Sequence, residues 1–299
     1  MILSQADSTH FLQSISANGV AIHIGPYVVR LASKIPIVAE NILKLYSNYP
    51  VEIDNEFSDI HIQILKGEGI HRFYKRQAIF SGDGDKPFTP LPIDQAYAMF
   101  EWGLNWAIAV QSHQYLMIHA AVIERDGSVV IMPGAPGAGK STLCAALVNS
   151  GWRLFSDEVA LVSLDDLSIT PVPRPVSLKN ASIDIIKNFV PDAVFGTIAK
   201  DTHKGTVSHM QAPLDSILRA NEKGRAKWII LPKYASGQDA KLESFSKGRL
   251  FMEVVQQTFN YHILGATGFE TLSSLVDQCE CYRFSYSQLA EAIEVFESL

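Results

Sequence analysis

Cysteine is scarce in this 299-residue chain; Cys144, Cys279 and Cys281 are the whole complement. An odd count with no Cys-x-x-Cys pair argues against a disulfide framework or a thiolate zinc cluster, and it fits a reducing compartment. Cys279 and Cys281 read as small buried hydrophobes alternating on one face of a strand. Long apolar runs are missing too. The richest window, around 98–110, is broken by Glu101 and Asn105 and is too short to span a bilayer. The first seven residues, Met-Ile-Leu-Ser-Gln-Ala-Asp, place no basic stretch ahead of an apolar one and so do not read as a secretory signal. Positive charge is not in excess: 25 Lys and Arg stand against 31 Asp and Glu, a net −6. A general nucleic-acid binder needs the opposite balance. These absences predict a cytoplasmic protein with no nucleic-acid partner and no membrane partner.

What is present is core-forming material. Hydrophobic residues make up 47% and aromatics 10%, ample for packed domains rather than disorder. Charge is uneven: residues 200–249 hold ten Lys or Arg against five Asp or Glu. Such an excess suits a phosphorylated ligand, an acidic partner, or simply a solvated face.

The first 112 residues read as a small α+β domain with no chemistry of its own. Strands are expected at Val20–His23, Tyr27–Leu31, Ile60–Ile64 and His71–Phe80, and helices at Val38–Tyr46 and Asp94–Val110. Met99, Trp102, Leu104 and Trp106 have helical spacing and read as packing residues. From 113 onward the pattern sharpens. Tyr115–Ile123 is a strongly apolar run read as one strand, and Val129–Met132 a second. The Asp126-Gly127 pair between them signals an antiparallel hairpin. A helix is expected over Lys140–Asn149, with Gly151 closing it. Strands are expected at Trp152–Phe155, Val159–Ser163 and Tyr282–Phe284. Helices are expected over 249–260, 269–277 and 287–298.

Between the second strand and its helix lies Gly134-Ala135-Pro136-Gly137-Ala138-Gly139-Lys140-Ser141, a Gly-x4-Gly-Lys-Ser string. Glycine permits backbone angles closed to other residues and lets amide N–H groups reach phosphate oxygens. A helix N-terminus adds donors and a positive dipole end. Lys140 supplies a point charge for the β- and γ-phosphates, the Ser141 hydroxyl a magnesium ligand, and Thr142 a further phosphate contact. This string predicts ATP and Mg2+ as ligands. A magnesium nucleotide also needs a carboxylate, and Asp157-Glu158 stands at a strand end 16 residues after Ser141. Either one acid accepts the proton of an incoming hydroxyl while the other helps hold magnesium, or Asp157 holds magnesium and Glu158 activates water. His119, in the neighbouring apolar strand, reads by itself as a satisfied core histidine.

Together these segments resemble a known family. His119-Ala120-Ala121, the Asp-Gly hairpin, the glycine loop and Gly151-Trp152-Arg153-Leu154-Phe155-Ser156-Asp157-Glu158-Val159 are similar to the catalytic core of HPr kinase/phosphorylase. The likeness is closest to the shorter HPr-kinase-related kinases, some of which accompany peptide-biosynthesis genes. It extends over roughly 113–299 through 173–180 and Phe259-Asn260-Tyr261. It implies an α/β fold: an HPr-kinase-like P-loop core with a mixed sheet over 113–299, preceded by the smaller N-terminal α+β domain. It implies Asp157 as general base toward a serine hydroxyl, His119 as the neighbour that tunes it, Glu158 and Ser141 as magnesium ligands, and Arg174, Lys179 and Arg249 as clamps on phosphate or acceptor. Departures from the family pattern are Ala120 where the family has glycine, Glu158 where it has aspartate, and no counterpart of its Glu-Ile-Arg-Gly-Leu-Gly segment. The reaction so expected is γ-phosphoryl transfer to a serine of a peptide or protein, in a possible homo-oligomer. A small-molecule hydroxyl as acceptor, or an ATPase or switch module with no acceptor, are the alternatives.

Overall fold

The computed structural model describes residues 1–53 and 57–299. The chain clusters into two compact units. The first is Met1–Gln111 with Ser177–Ile183 and Ala193–Gln211; the second is Ser112–Val176, Asp184–Asp192 and Ala212–Leu299. A single boundary near 112 does not anticipate the two excursions of the chain back into the first unit.

The first unit begins with α1 (Ser8–Ser16), capped by the Asp7 carboxylate on the Thr9 N–H. There follow β1 (Val20–Ile24), β2 (Tyr27–Ser33), α2 (Pro36–Leu45), β3 (Val51–Glu52), β4 (Ile60–Lys66), β5 (Gln77–Gly82), β6 (Leu91–Pro92) and α3 (Ala96–Gln111). The six strands form one sheet in the order β3-β1-β2-β4-β5-β6. The helix α3 is apolar nearly all round and buried along most of its length. The strand expected over His71–Phe80 begins only at Gln77. His71 and Arg72 instead lie in a one-turn 3-10 helix.

The second unit carries β7 (Tyr115–Ile118), β8 (Ala120–Arg125), β9 (Ser128–Pro133), α4 (Lys140–Val148), β10 (Arg153–Ser156), β11 (Ala160–Ser163) and β12 (Ser168–Thr170). The chain then runs through β13 (Val176–Lys179), α5 (Ala181–Phe189), β14 (Ala199–Thr202) and β15 (Gly205–Met210). The three strands form a small sheet in the order β13-β15-β14. It returns with α6 (Leu214–Leu218), β16 (Gly224–Tyr234), β17 (Lys241–Ser244), α7 (Lys247–Val255), α8 (Tyr261–Leu264), α9 (Ala266–Gln278), β18 (Glu280–Tyr286) and α10 (Leu289–Glu297).

The main sheet is mixed, in the order β10-β8-β9-β16-β12-β11-β7, with β18 parallel to β16 and β17 on the outside of β18. Alternate residues Leu116, Ile118, Ala120 and Val122, with Val129 and Ile131, pack against Leu250 and Val254 of α7 and Leu272, Leu275 and Val276 of α9. The opposite face meets α4 and α10, where Phe296 packs on Phe284 and Trp152. Helices on both faces of a mixed sheet make this an α/β fold. The β8–β9 hairpin forms as expected. Asp126 and Gly127 both have positive φ, 52° and 79°, the two-residue turn whose twist matches its strands. No helix among the described residues is long and apolar enough to cross a membrane.

Candidate functional site

The loop Gly134–Ser141 leaves β9 and enters α4. Gly137 and Gly139 hold φ of 86° and 90°, a region that penalises any side chain. At Gly137 an added Cβ would meet nothing within 4 Å, so the loop faces open space there. At Gly139 the same atom would come within 2.5 Å of the Tyr286 hydroxyl, so this glycine is required by space as well as by angle. Tyr286, at the end of β18, donates to the Gly139 carbonyl at 2.9 Å, and the Tyr234 N–H, at the end of β16, donates to the Ala138 carbonyl at 3.0 Å. Two parallel strands thus hold the loop from behind. Burial pushes the Tyr286 phenol well above its ordinary range, so it remains a donor.

The first helical bond of α4 runs from the Leu143 N–H to the Gly139 carbonyl, so the amides before it point out of the helix end. The buried Lys140 ammonium folds back over the loop and donates to the Gly134 carbonyl and to the Ala135 carbonyl, the latter at 3.2 Å. Glycines in the left-handed region, outward amides and a lysine on the loop carbonyls make a donor set that fits a polyphosphate. Ser141 and Thr142 follow in the first turn of the helix, where a hydroxyl fits a hydrated magnesium ion.

The acidic pair sits in the turn between β10 and β11. The Ser156 hydroxyl accepts from the N–H groups of Glu158 and Val159, at 3.2 and 3.1 Å, and so shapes that turn. The pairing of β10 with β8 shifts register between Leu154 and Ser156, an irregularity that ends the ladder just before the acids. The two acids differ in burial. Asp157 is buried, and its charge is the second cause, after burial itself, that raises the Cys144 thiol in α4 well above its usual range. Asp157 therefore lies toward the loop helix. Glu158 is a quarter exposed and meets His119, Nε2 to Oε2, at 3.5 Å.

His119 reaches Glu158 because the strand around it breaks. Tyr115–Ile123 is not one strand: β7 pairs with β11, β8 pairs with β9 and β10, and His119 stands between them. Its N–H donates to the Gln257 carbonyl at 2.7 Å, while the Ala120 N–H donates to the Glu158 carbonyl at 3.3 Å. The segment around Thr258 runs antiparallel to the end of β7. Asn260, buried, anchors it by accepting from the Met117 N–H at 3.0 Å and donating to the Tyr115 carbonyl at 2.8 Å. Phe259 lies 5.9 Å from the His119 ring.

The clamps expected by resemblance divide. Arg174 is buried in the extended segment whose Val172 N–H donates to the Phe155 carbonyl beside β10. Lys179 belongs to the first unit, where its charge contributes to lowering the His203 pKa, after burial and Lys204. Arg249 is exposed in the first turn of α7; among the described contacts its side chain makes none to His119, Asp157 or Glu158. Arg153, part of the segment that carried the resemblance, is structural. It is buried, pairs with Glu124, and donates to the carbonyls of Arg219 and Glu222 at 2.8 and 3.1 Å. Glu124 in turn accepts from the Gly127 N–H of the hairpin turn. The basic excess of 200–249 is divided between the units: Lys200 and Lys204 lie in the first and the others in the second.

Tyr234, Tyr286, Ser156 and Gln257 were not legible as site residues. No spacing links them to the loop; only the sheet order and the strand break bring them there.

A family model described as "SynChlorMet cassette protein ScmC" matches residues 98–173, an interval containing His119, the loop and both acids. No curated protein matches. Among solved structures, the chain is similar to the Hpr(Ser) kinase/phosphatase from Coxiella burnetii. The identity is 14%, the match covers 61% of this chain and 95% of that one, and the TM-score is 0.27. At that score the shared backbone is too small to carry an argument about function.

Proposed function

We propose that this protein is an ATP-dependent kinase that transfers the γ-phosphoryl group to a hydroxyl, with a serine of a peptide or protein as acceptor. The observation that carries the reading is the pairing of Ala120 with Pro133, which sets His119 and its partner Glu158 beside the strand end where the glycine loop bearing Lys140 begins. Phosphoryl transfer proceeds through a loose transition state, so positioning and charge neutralisation supply most of the catalysis. The loop amides and Lys140 serve the phosphate oxygens. Ser141 and Asp157 would hold magnesium, which would supply charge neutralisation at the phosphates.

Of the two role orders that the sequence left open, the His119–Glu158 contact supports the one opposite to that implied by the resemblance. Glu158, oriented by His119 Nε2, accepts the proton of the attacking hydroxyl. Asp157, on the loop side, serves the metal. The reaction breaks the bond from Pγ to the bridging oxygen, forms one from Pγ to the acceptor oxygen, and leaves the acceptor's proton on Glu158. The partial exposure of Glu158 also admits water as the nucleophile, which favours the ATPase reading as the rival.

The test is turnover of γ-labelled ATP with Mg2+, with and without serine-containing peptides. Label on the peptide, abolished by Lys140→Ala, supports the kinase. Rapid ADP release without acceptor and without a labelled product supports the ATPase.

A further inference from the structure

The first unit carries a surface that the proposed reaction does not use. Strands β4 and β5 are joined by a ten-residue connection, closed at its base by the Gly67 N–H on the Gln77 carbonyl at 2.7 Å. Every residue from 68 to 76 is exposed. Three of them are large and apolar: Ile70 at 68%, Phe73 at 81% and Tyr74 at 62%. Isolated exposed hydrophobes are ordinary, but three within five residues on one projecting loop are not. The loop has a defined shape. The Phe73 and Tyr74 N–H groups both donate to the Ile70 carbonyl, at 3.1 and 2.9 Å, and Lys75 takes a left-handed φ of 45°.

Cations are interleaved with these side chains. Lys66, Arg72, Lys75 and Arg76 are all exposed, and the Lys75 ammonium lies 5.8 Å from the Tyr74 ring centroid. The one acid in the stretch, Glu68, is paired with Lys86 at 3.3 Å. Residues 66–76 thus carry four formal positive charges and one negative, a local +3, on a chain whose net charge is −6.

We infer that this loop is a peripheral anchor for an anionic phospholipid surface. Two features select that partner. Three large apolar side chains are exposed within five residues of one another and are flanked by cations, the combination that suits insertion among acidic headgroups. Both β4 and β5 are interior strands of their sheet, and at the loop's base Gln77 and Ala78 are already paired with β6, so on that side no edge is open to an extended peptide. Aromatic side chains at headgroup depth with flanking Lys and Arg combine apolar insertion with attraction to acidic lipids, and neither signal alone gives firm binding. Such an anchor needs no spanning segment, so it departs from the expectation of no membrane partner drawn from hydropathy alone.

The test is flotation of the full chain with vesicles of phosphatidylcholine alone and of phosphatidylcholine mixed with phosphatidylserine, at low and high salt. The full chain is expected to float with the anionic vesicles only, and less so at high salt. Arg72→Glu, Lys75→Glu and Arg76→Glu together should weaken binding by roughly tenfold or more. Phe73→Ser with Tyr74→Ser should weaken it severalfold at unchanged charge. Both variants should keep the parent melting temperature, since the substituted side chains are all exposed. Absence of binding to anionic vesicles, equal binding to neutral ones, or parent-like binding by both variants would overturn the inference. So would a loop-dependent rise in mass with concentration in the absence of lipid, which would mark self-association.

Discussion

Each unit places a glutamate among aromatic or imidazole side chains, and the two are treated differently. In the first unit Glu101 is buried on α3 and one of its carboxylate oxygens accepts from the Tyr46 and Tyr97 hydroxyls at 2.9 and 2.6 Å. Burial, and after it the Glu101 charge, raises the Tyr97 phenol well above its ordinary range, so that hydroxyl stays a donor. In the second unit Glu158 is only part-buried and faces His119 across 3.5 Å. The first carboxylate is locked by short bonds away from solvent, as a structural acid is; the second is part-exposed, and the proposed reaction gives it the proton-accepting role.

The sharpest way to break this contrast is to neutralise each acid. Glu158→Gln is expected to lower phosphoryl transfer by about 10²–10⁴-fold while ATP affinity and melting temperature hold, because a general base is lost and no packing is. Parent-like transfer by that variant would remove Glu158 from the chemistry. Asp157→Asn is expected to raise the Mg2+ concentration needed for half-maximal rate, and an unchanged requirement would remove it from the metal. Glu101→Leu should behave in the opposite way. It strands two buried phenols, so denaturant unfolding should report a loss of about 2–4 kcal/mol with ATP binding intact. Below these comes Tyr286→Phe, which deletes the hydroxyl bond to the Gly139 carbonyl. A loss of about 1 kcal/mol of stability and a severalfold weaker ATP affinity by calorimetry are expected.

The smallest effect concerns pH. Burial raises the Cys279 thiol from its ordinary value of 9.0 to about 12. The folded state therefore holds a proton that the unfolded chain releases above about pH 9. That contribution to stability is present in full below pH 9 and is eroded as pH climbs toward 12. Cys279→Ala should flatten this alkaline limb of a stability profile.

The glycine loop and α4 were legible because their chemistry is local: glycines, lysine and serine at fixed spacing between a strand and a helix. The Asp126-Gly127 hairpin was legible for the same reason. The break at His119 was not, because nothing in Tyr115–Ile123 marks a turn. The break is imposed by the Gln257–Asn260 segment, some 140 residues away. The central strand β16 escaped notice because Arg225, Lys227 and Lys233 interrupt its apolar pattern. In the structure these side chains are exposed while Ala226 and Trp228 alternate inward. Aromatic content made His71–Phe80 look like a strand, yet Phe73 and Tyr74 are exposed. The assignment of proton acceptor to Asp157 or Glu158 depends on which way a two-residue turn faces. The turn is shaped by the Ser156 hydroxyl, which accepts from the Glu158 and Val159 N–H groups, and spacing does not reveal that.

The central claim is that the loop at Gly134–Ser141 holds the polyphosphate tail of ATP. Calorimetric titration of the full chain with ATP in the presence of Mg2+, set beside Lys140→Ala, tests it most directly. The account predicts saturable binding by the parent and an affinity at least tenfold weaker in the variant, since a buried charge-assisted contact is removed. Equal affinity in the two proteins, or no binding by the parent, would contradict it.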